Sequence, residues 1–206
     1  GGDQRRDVEE LLGTALGMLS EPARPIVVFT HGEASRGLVK AAFGPLVEGL
    51  GLRGIDCEEW ACVVESEAPS LASIDPAGSR PVVYAVVGTN SGRGAGASGG
   101  PSGVERAQRL GRELAQLIAE GKPVLVSVFP STLPAFGQTD PMAAAVAALG
   151  IELDAGRPLL REVVTTAGRR VDAFSRLTCV RGEHPLLRAV GNLPTFFEWP
   201  VPMKTG

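Results

Sequence analysis

The chain has 206 residues, a formal net charge of -3 and a mean hydropathy of +0.12, with 44% hydrophobic residues. This composition excludes a wholly disordered chain, and the slight acidity disfavours a nucleic-acid partner, because proteins that neutralise phosphates usually carry a basic excess. The length suits one α/β domain over residues 1–206, with an N-terminal helix in 1–25, a parallel core over 26–150 and a strand-rich extension over 151–206.

The chain begins with a predicted amphipathic helix within residues 4–19, where apolar side chains recur on one helical face. These side chains are Val8, Leu11, Leu12, Ala15 and Leu19. A short buried strand is predicted over 26–30 and a second helix over 34–50. Pro45 predicts a kink in that helix, because proline removes one backbone hydrogen bond and clashes with the preceding turn.

The clearest buried strand is 81–87 (PVVYAVV), and a glycine-rich segment follows it over 88–103. Ser102 and Glu105 form a capping-box pattern that begins the next helix, which Gly121 ends.

Asp140 and Pro141 begin a shorter apolar helix that ends at Gly150. A further strand is predicted over 52–57, an irregular stretch over 69–80 and a buried strand over 124–129. The C-terminal third predicts paired strands at 157–164 and 171–180, joined by a turn at 166–170, and a last strand at 194–199.

Strands that alternate with helices over 26–150 predict a parallel sheet with right-handed crossovers. The fold class is therefore α/β, a three-layer, mostly parallel Rossmann- or flavodoxin-like sheet with an antiparallel C-terminal extension. In such sheets, ligands bind where the carboxyl ends of strands meet helix N-termini. The candidate ligand-binding residues at this edge are His31, Glu33, Gly88, Thr89, Asn90, Ser91, Pro130 and Ser131.

Two motif matches fall in the glycine-rich segment, and neither has the context that its chemistry needs. Residues 94–99 fit G-x-G-x-x-G, but the match begins several residues after the strand and no acidic residue ends the next strand to hold a ribose. Residues 96–100 fit G-x-S-x-G, but Ser98 lies mid-loop rather than on a sharp strand-to-helix turn. A surface insertion is the favoured interpretation of this segment.

The residue types also disfavour a metal or catalytic centre. His31 and Glu33 bind a polar ligand or a metal on one interpretation; on the favoured one they are structural, with Glu33 entering the next helix where its charge suits the dipole. His184 before Pro185 is interpreted as a turn residue. No cofactor, no metal and no catalytic residue is predicted. The acids of 56–67 are interpreted as a solvated face; they are Asp56, Glu58, Glu59, Glu65 and Glu67.

Cys57 and Cys62 are expected to be free thiols, with a disulfide in an oxidising compartment as the alternative. The first residues, Gly1-Gly2-Asp3, carry no signal peptide, and a start without methionine suggests an excised piece of a longer protein.

The order of motifs resembles a known family. The motifs are Thr30-His31-Gly32-Glu33, VVYAVVG over 82–88, AEGKPVLV over 119–126, Leu149-Gly150-Ile151 and Glu183-His184-Pro185-Leu186. Together they resemble the extracytoplasmic domain of gliding-motility-type auxiliary subunits of ABC transporters, whose fold is similar to class I glutamine amidotransferases. The chain departs from the family pattern at Thr30 and Lys122, where glycines are usual, and in the insertion after Gly88, which puts a shared ligand there in doubt.

The resemblance implies a non-catalytic domain without the amidotransferase cysteine, in a membrane-anchored parent chain that faces outside the cytoplasm, at the periplasmic side. The implied partners are membrane transporter subunits or another extracytoplasmic molecule. Two alternatives stay open: a hydrolase or nucleotide-binding enzyme that uses the crevice at the strand ends, and a solute-binding module with a small-molecule pocket.

Overall fold

The computed structural model describes residues 24–89, 100–166, 168–172, 174–177, 195–198 and 200–205. The helix predicted over 4–19, most of the glycine-rich segment with Ser98, and the Glu183-His184-Pro185 motif lie outside the described residues.

The described chain contains strands that alternate with helices in its first two thirds. The helices are α1 (Leu38–Gly51), α2 (Gly103–Ala119) and α3 (Pro141–Ala147). The strands are β1 (Ile26–His31), β2 (Asp56–Ala61), β3 (Val82–Val87), β4 (Val124–Ser127), β5 (Ile151–Leu153), β6 (Arg161–Thr165), β7 (Gly168–Asp172), β8 (Phe174–Leu177), β9 (Thr195–Glu198) and β10 (Met203–Thr205).

Strands β1 to β4 form a parallel sheet in the order β2-β1-β3-β4, which confirms the predicted α/β class and parallel core. The chain leaves β1 on one side to make β2 and returns to the other side of β1 to make β3. This reversal between β1 and β3 is the position at which doubly wound sheets bind ligands, outside the carboxyl ends of the two strands.

Helices cover both faces of the sheet, so the predicted three layers are present. On one face α1 packs through Val39 against Phe29 and Ala85. On the other face α2 and α3 bury the larger cluster, whose best-buried members include Ile26, Val28, Trp60, Val86, Leu110, Leu114 and Met142.

The predicted antiparallel extension of the sheet is wrong in one respect, because the antiparallel strands do not join the parallel sheet. They form separate two-stranded sheets that pair β5 with β10, β6 with β7 and β8 with β9. Most side chains of β6 and β7 are exposed, several of them charged, so these strands offer little apolar surface with which to join a core sheet.

The C-terminal hairpin has a tighter turn than predicted. β7 begins at Gly168, inside the predicted turn over 166–170, because Gly168 adopts a positive φ of 121° and the Thr165 hydroxyl donates to its carbonyl at 2.9 Å. The strand predicted over 171–180 is divided between β7 and β8.

The starts of helix α1 and strand β2 also differ from prediction. Helix α1 begins at Leu38 rather than at residue 34, because Gly37 has a φ of 103°, outside the helical region. The predicted kink is confirmed: Phe43, two residues before Pro45, has a non-helical φ of -124°. Strand β2 begins at Asp56 rather than at residue 52, since a turn through Gly54 (φ 73°) still closes α1 there.

Strand β4 is shorter than predicted and is an edge strand rather than a fully buried one. It ends at Ser127, and its side chains alternate between half-buried and exposed. The predicted starts of helices α2 and α3 are confirmed. Ser102 and Glu105 form a reciprocal capping box at α2, and the Asp140 carboxylate accepts from the first turn of α3.

Candidate functional site

A groove of about 670 Å³ lies at the carboxyl edge of the parallel sheet, beside the first turns of α1. Its floor is the end of β3 with Phe129, and its wall is the face of α1 toward β3. The lining residues are Glu33, Ser35, Arg36, Gly37, Leu38, Ala41, Ala42, Phe43, Val87, Gly88 and Phe129. Most of these side chains are apolar, and the charged ones stand at one end.

Glycines allow the chain to pack closely around this edge. A Cβ atom on Gly88 would lie 2.8 Å from the Ser127 carbonyl oxygen and 3.1 Å from the Phe129 ring. A Cβ atom on Gly32 would lie 2.9 Å from the Arg106 carbonyl oxygen. Real Cβ contacts are longer than these distances, so a side chain at either position would push the sheet edge away from its neighbours.

Glu33 joins three segments at the polar end of the groove. Its Oε1 accepts from the Thr89 hydroxyl at 2.8 Å, and its Oε2 pairs with Arg106 Nη1 of α2 at 3.1 Å. The expectation that Glu33 enters the next helix is therefore wrong, because α1 begins five residues later and the carboxylate is held by a cation of another helix. Glu33 and Thr89 do come together, as the common strand edge predicts.

His31 is buried and does not face the groove, contrary to the functional interpretation of its position. Its side chain is 1% exposed, its Nε2 lies 2.9 Å from Glu59 Oε1, and its Nδ1 accepts from the Glu33 backbone N–H at 3.2 Å. Because Nδ1 accepts, the hydrogen bonds assign the ring as neutral with the proton on Nε2. Both ring nitrogens are thus used inside the fold.

Glu59 belongs to the site although the sequence pattern around it indicates only a solvated acid. Its carboxylate accepts from the backbone N–H groups of Gly37 at 2.9 Å and Val39 at 3.2 Å, in addition to His31. It therefore caps α1 from a neighbouring strand, since the N-cap residue Gly37 has no side chain to do so. Burial alone would raise the pKa of Glu59, but the hydrogen bonds from Gly37, Val39 and His31 lower it below its ordinary value.

The interpretation of all five acids of 56–67 as a solvated face is also wrong for Glu65, which is half-buried, whereas Asp56 is exposed as expected and forms a surface ion pair. Glu65 pairs with Arg36 at 2.8 Å and accepts from the Ala61 N–H at 3.3 Å. Asp56 pairs with Arg80 at 2.7 Å. These partners lie at least four residues away in the chain, so the local charge run conceals them.

The N-terminus of α2 is also occupied by a carboxylate of the chain. Glu105 accepts from the Ser102 N–H at 2.7 Å while the Ser102 hydroxyl accepts from the Glu105 N–H. The hydrogen bonds from the backbone and side chain of Ser102 lower the pKa of Glu105. The first turns of α1 and α2 thus carry carboxylates where a nucleotide-binding sheet would hold phosphate.

The other predicted site residues are placed differently. Ser131 is buried away from the groove lining: its N–H donates to the Ala155 carbonyl at 2.9 Å and its hydroxyl accepts from the Leu133 N–H. Pro130 is half-buried and is not part of the lining, whereas its neighbour Phe129 is. Asn90 and Ser91 lie outside the described residues.

Cys57 and Cys62 are free thiols, as the sequence analysis favoured. An extended strand separates them by about 16 Å, far beyond the Cα separation that a disulfide spans. Burial raises the pKa of Cys62 to about 12 and, with the charges of Asp56 and Glu58, raises that of Cys57.

In the part of the chain that the structure describes, no group of three or more His, Cys, Asp or Glu residues could hold a metal ion. Among the same residues, no helix combines the length and the apolar character needed to cross a bilayer. Comparison with protein-family models, with curated proteins and with solved structures gave no match.

Proposed function

We propose that the chain is a non-catalytic binding domain of an auxiliary protein of an ABC-type transport system, located outside the cytoplasm. The membership rests on the resemblance of its motifs, including Thr30-His31-Gly32-Glu33, to gliding-motility-type auxiliary subunits. In this proposal the groove at the carboxyl edge of the sheet binds a partner subunit or a solute.

The observation that carries the proposal is that N–H groups in the first turns of α1 and α2 are already hydrogen-bonded within the fold. In nucleotide-binding α/β proteins, free N–H groups at helix N-termini hold the phosphates. Here the Glu59 carboxylate accepts from the Gly37 and Val39 N–H groups at the start of α1, and the Ser102 hydroxyl accepts from the Glu105 N–H in the first turn of α2. The carboxylates of Glu59 and Glu105 also add negative charge that would repel a phosphate. The apolar lining between Leu38 and Phe129 instead favours an uncharged, apolar group.

A hydrolase would need a nucleophile beside a base that can take its proton. His31 has both ring nitrogens engaged, by Glu59 and by the Glu33 N–H, and no serine or cysteine of the described residues hydrogen-bonds to it. These contacts support binding over catalysis at this edge.

The test is to fill the groove with a bulky side chain. Ala42→Trp adds an indole to the groove wall, and Ala147→Trp on α3 is the matched control at an exposed helical position. With the parent chain and the transporter subunits encoded beside it expressed together, we expect Ala42→Trp to reduce co-purification of the complex and Ala147→Trp to leave it unchanged.

The same two variants, Ala42→Trp and Ala147→Trp, distinguish the binding proposal from the alternative that the groove is an enzyme's active site. Saturable binding of ATP or NAD, or hydrolysis of a p-nitrophenyl ester, that Ala42→Trp abolishes and Ala147→Trp preserves would replace the binding proposal with an enzymatic one. Equal co-purification of both variants with the transporter subunits would remove the groove from the interface.

A further inference from the structure

Strand β2 has an outward edge whose backbone groups can pair with a further strand. In the order β2-β1-β3-β4 it lies outermost among the described strands of the parallel sheet. The Cys62 N–H donates to the His31 carbonyl at 3.1 Å just after β2 ends. Because successive residues of a strand direct their N–H and C=O groups to opposite sides, Glu58 also bonds to β1, whereas Cys57 and Glu59 face outward.

Two charged side chains close this edge at its carboxyl end. Arg36 donates to the Glu59 carbonyl at 3.2 Å, and the Glu65 carboxylate accepts from the Ala61 N–H at 3.3 Å. In the part of the chain that the structure describes, the Cys57 N–H, the Cys57 carbonyl and the Glu59 N–H have no hydrogen-bond partner. Unpaired edge groups of this kind are a template to which an extended peptide adds as a strand.

A groove of about 460 Å³ lies beside these three backbone groups, between β2 and α1. Residues 57–59 form its strand side, and Val39, Gly44 and Val47 lie on its helix side. We call it the β2 groove. It borders β2, whereas the groove at the carboxyl edge borders β3, so the two lie on different sides of α1.

The middle of the β2 groove is apolar and open. Val39 is 6% exposed, and Val47 and Cys57 pack against the same small cluster as Phe29. Gly44 adds no side chain, and a Cβ atom built on it meets no heavy atom within 4 Å. A short aliphatic side chain of a bound strand would therefore be buried beside Gly44.

The other face of β2 is acidic, which selects the charge of a binding partner. Asp56 and Glu58 alternate with Cys57 along the strand and so face away from α1. Asp56 pairs with Arg80, whereas Glu58 has no ion pair among the described residues. Opposite residues of paired strands place their side chains on the same face, so a basic residue opposite Glu58 would alternate with an apolar residue opposite Cys57.

The charges also disfavour a second copy of this chain at the edge. Two copies paired antiparallel about Cys57 would place Asp56 of one opposite Glu58 of the other, and like charges directly opposite are destabilising. On the helix side of the groove, the exposed Lys40 and Glu48 carry opposite charges, so neither sign prevails there. The acidic face of β2 thus favours a basic strand from another molecule.

We propose that the β2 groove binds an extended peptide segment of another protein, in which basic and apolar residues alternate, as an additional strand beside β2. Backbone hydrogen bonds to Cys57 and Glu59 would hold the segment, while an apolar side chain beside Gly44 and a cation opposite Glu58 would select it. This binding extends beyond the proposed function and does not depend on it, because the backbone groups that carry it belong to β2.

The probe is a fluorescein-labelled, amidated nonapeptide in which lysine and valine alternate. Fluorescence anisotropy with the full chain should show saturable binding of this peptide. The same peptide N-methylated at its central residues should bind at least about tenfold more weakly, because it can no longer donate to the Cys57 carbonyl or approach the strand edge closely.

Two variants locate the peptide in the β2 groove. Gly44→Leu fills the apolar middle of the groove, and Gly51→Leu is the matched control at the end of the same helix, where a Cβ atom also meets nothing within 4 Å. We expect Gly44→Leu to weaken binding at least about tenfold and Gly51→Leu to change it by less than about twofold. Glu58→Lys, which leaves α1 unchanged, should reverse the preference, so that a peptide of alternating glutamate and valine binds better than the lysine peptide.

Three results would overturn the proposal. The first is a lack of saturable binding to the wild-type chain. The second is equal binding of the N-methylated peptide or a preference that Glu58→Lys leaves unchanged, since charge attraction elsewhere on the surface would then explain the affinity. The third is a concentration-dependent dimer, measured by light scattering, that Gly44→Leu disrupts, because the edge would then pair with a second copy of the chain.

Discussion

Glu59→Gln is the most informative single change, because it removes one charge from a carboxylate that holds β1, β2 and α1 together. The carboxylate oxygens of Glu59 accept from Gly37, Val39 and His31, and its side chain is 19% exposed. The amide of glutamine keeps the shape and one acceptor oxygen. Its NH2 group, however, must face at least one of the donors that the second oxygen now satisfies.

The destabilisation follows from the hydrogen bonds that this substitution removes. A net contribution of about 1.5–3 kcal/mol is typical of a hydrogen bond to a charged group, and the charge near the start of α1 adds about 0.3–1 kcal/mol. The remaining amide oxygen recovers part of this sum. We therefore expect Glu59→Gln to lower the free energy of unfolding by about 2–3 kcal/mol, and the melting temperature by about 4–12 °C for a chain of this size.

Urea denaturation and thermal melting followed by circular dichroism measure this difference. Glu58→Gln is the matched control, since Glu58 precedes Glu59 on the same strand and points to the other side. It should change the free energy of unfolding by less than about 0.5 kcal/mol. If Glu59→Gln were as mild as Glu58→Gln, the carboxylate would not be the cap of α1 that its distances indicate.

Three further changes probe pH dependence, helix packing and thiol burial. The difference in free energy of unfolding between wild type and Glu59→Gln, measured by urea titration, should be complete above pH 4.5, the ordinary pKa of the group. It should shrink as the pH falls through the lowered pKa of Glu59, because the protonated carboxyl is then as neutral as the amide. A difference independent of pH would contradict the charge argument. Gly111→Ala should lower the free energy of unfolding by about 1–3 kcal/mol, since a Cβ there would lie 2.7 Å from the Pro141 carbonyl oxygen, whereas Gly51→Ala, with nothing within 4 Å, should be neutral or slightly stabilising. Native Cys62, buried and with its pKa raised to about 12, should resist iodoacetamide at neutral pH until urea unfolds the chain, and rapid labelling in the native state would show that the end of β2 opens.

The parts of the fold that were predicted correctly are those whose cause is local. The apolar runs of β1 and β3 are buried on both faces, so their bounds in the sequence and in the structure differ by one residue at most. The capping box at Ser102 and the cap at Asp140 involve atoms within three residues of each other, and both form. The kink near Pro45 likewise follows from proline alone.

The site was only partly predictable because its decisive contacts join distant residues. The sheet edge that unites Glu33 and Thr89 follows from topology, and it was predicted. The role of Glu59 was not, since Gly37 and His31 lie more than twenty residues before it and the surrounding acids indicate a solvated face. Strand β2 begins four residues later than predicted for another reason: the turn through Gly54 still closes α1 at residues 52–55.

The missing side chain at Gly37 and the carboxylate at Glu59 together explain why the groove differs from a phosphate site. A positive φ at residue 37 favours glycine, and glycine cannot cap α1, so the first-turn N–H groups need an acceptor from elsewhere. Glu59 supplies it and, through His31, links that turn to the end of β1. A ligand seated between Leu38 and Phe129 would press on the turn that Glu59 holds, so loosening the turn by Glu59→Gln should also weaken binding in the groove.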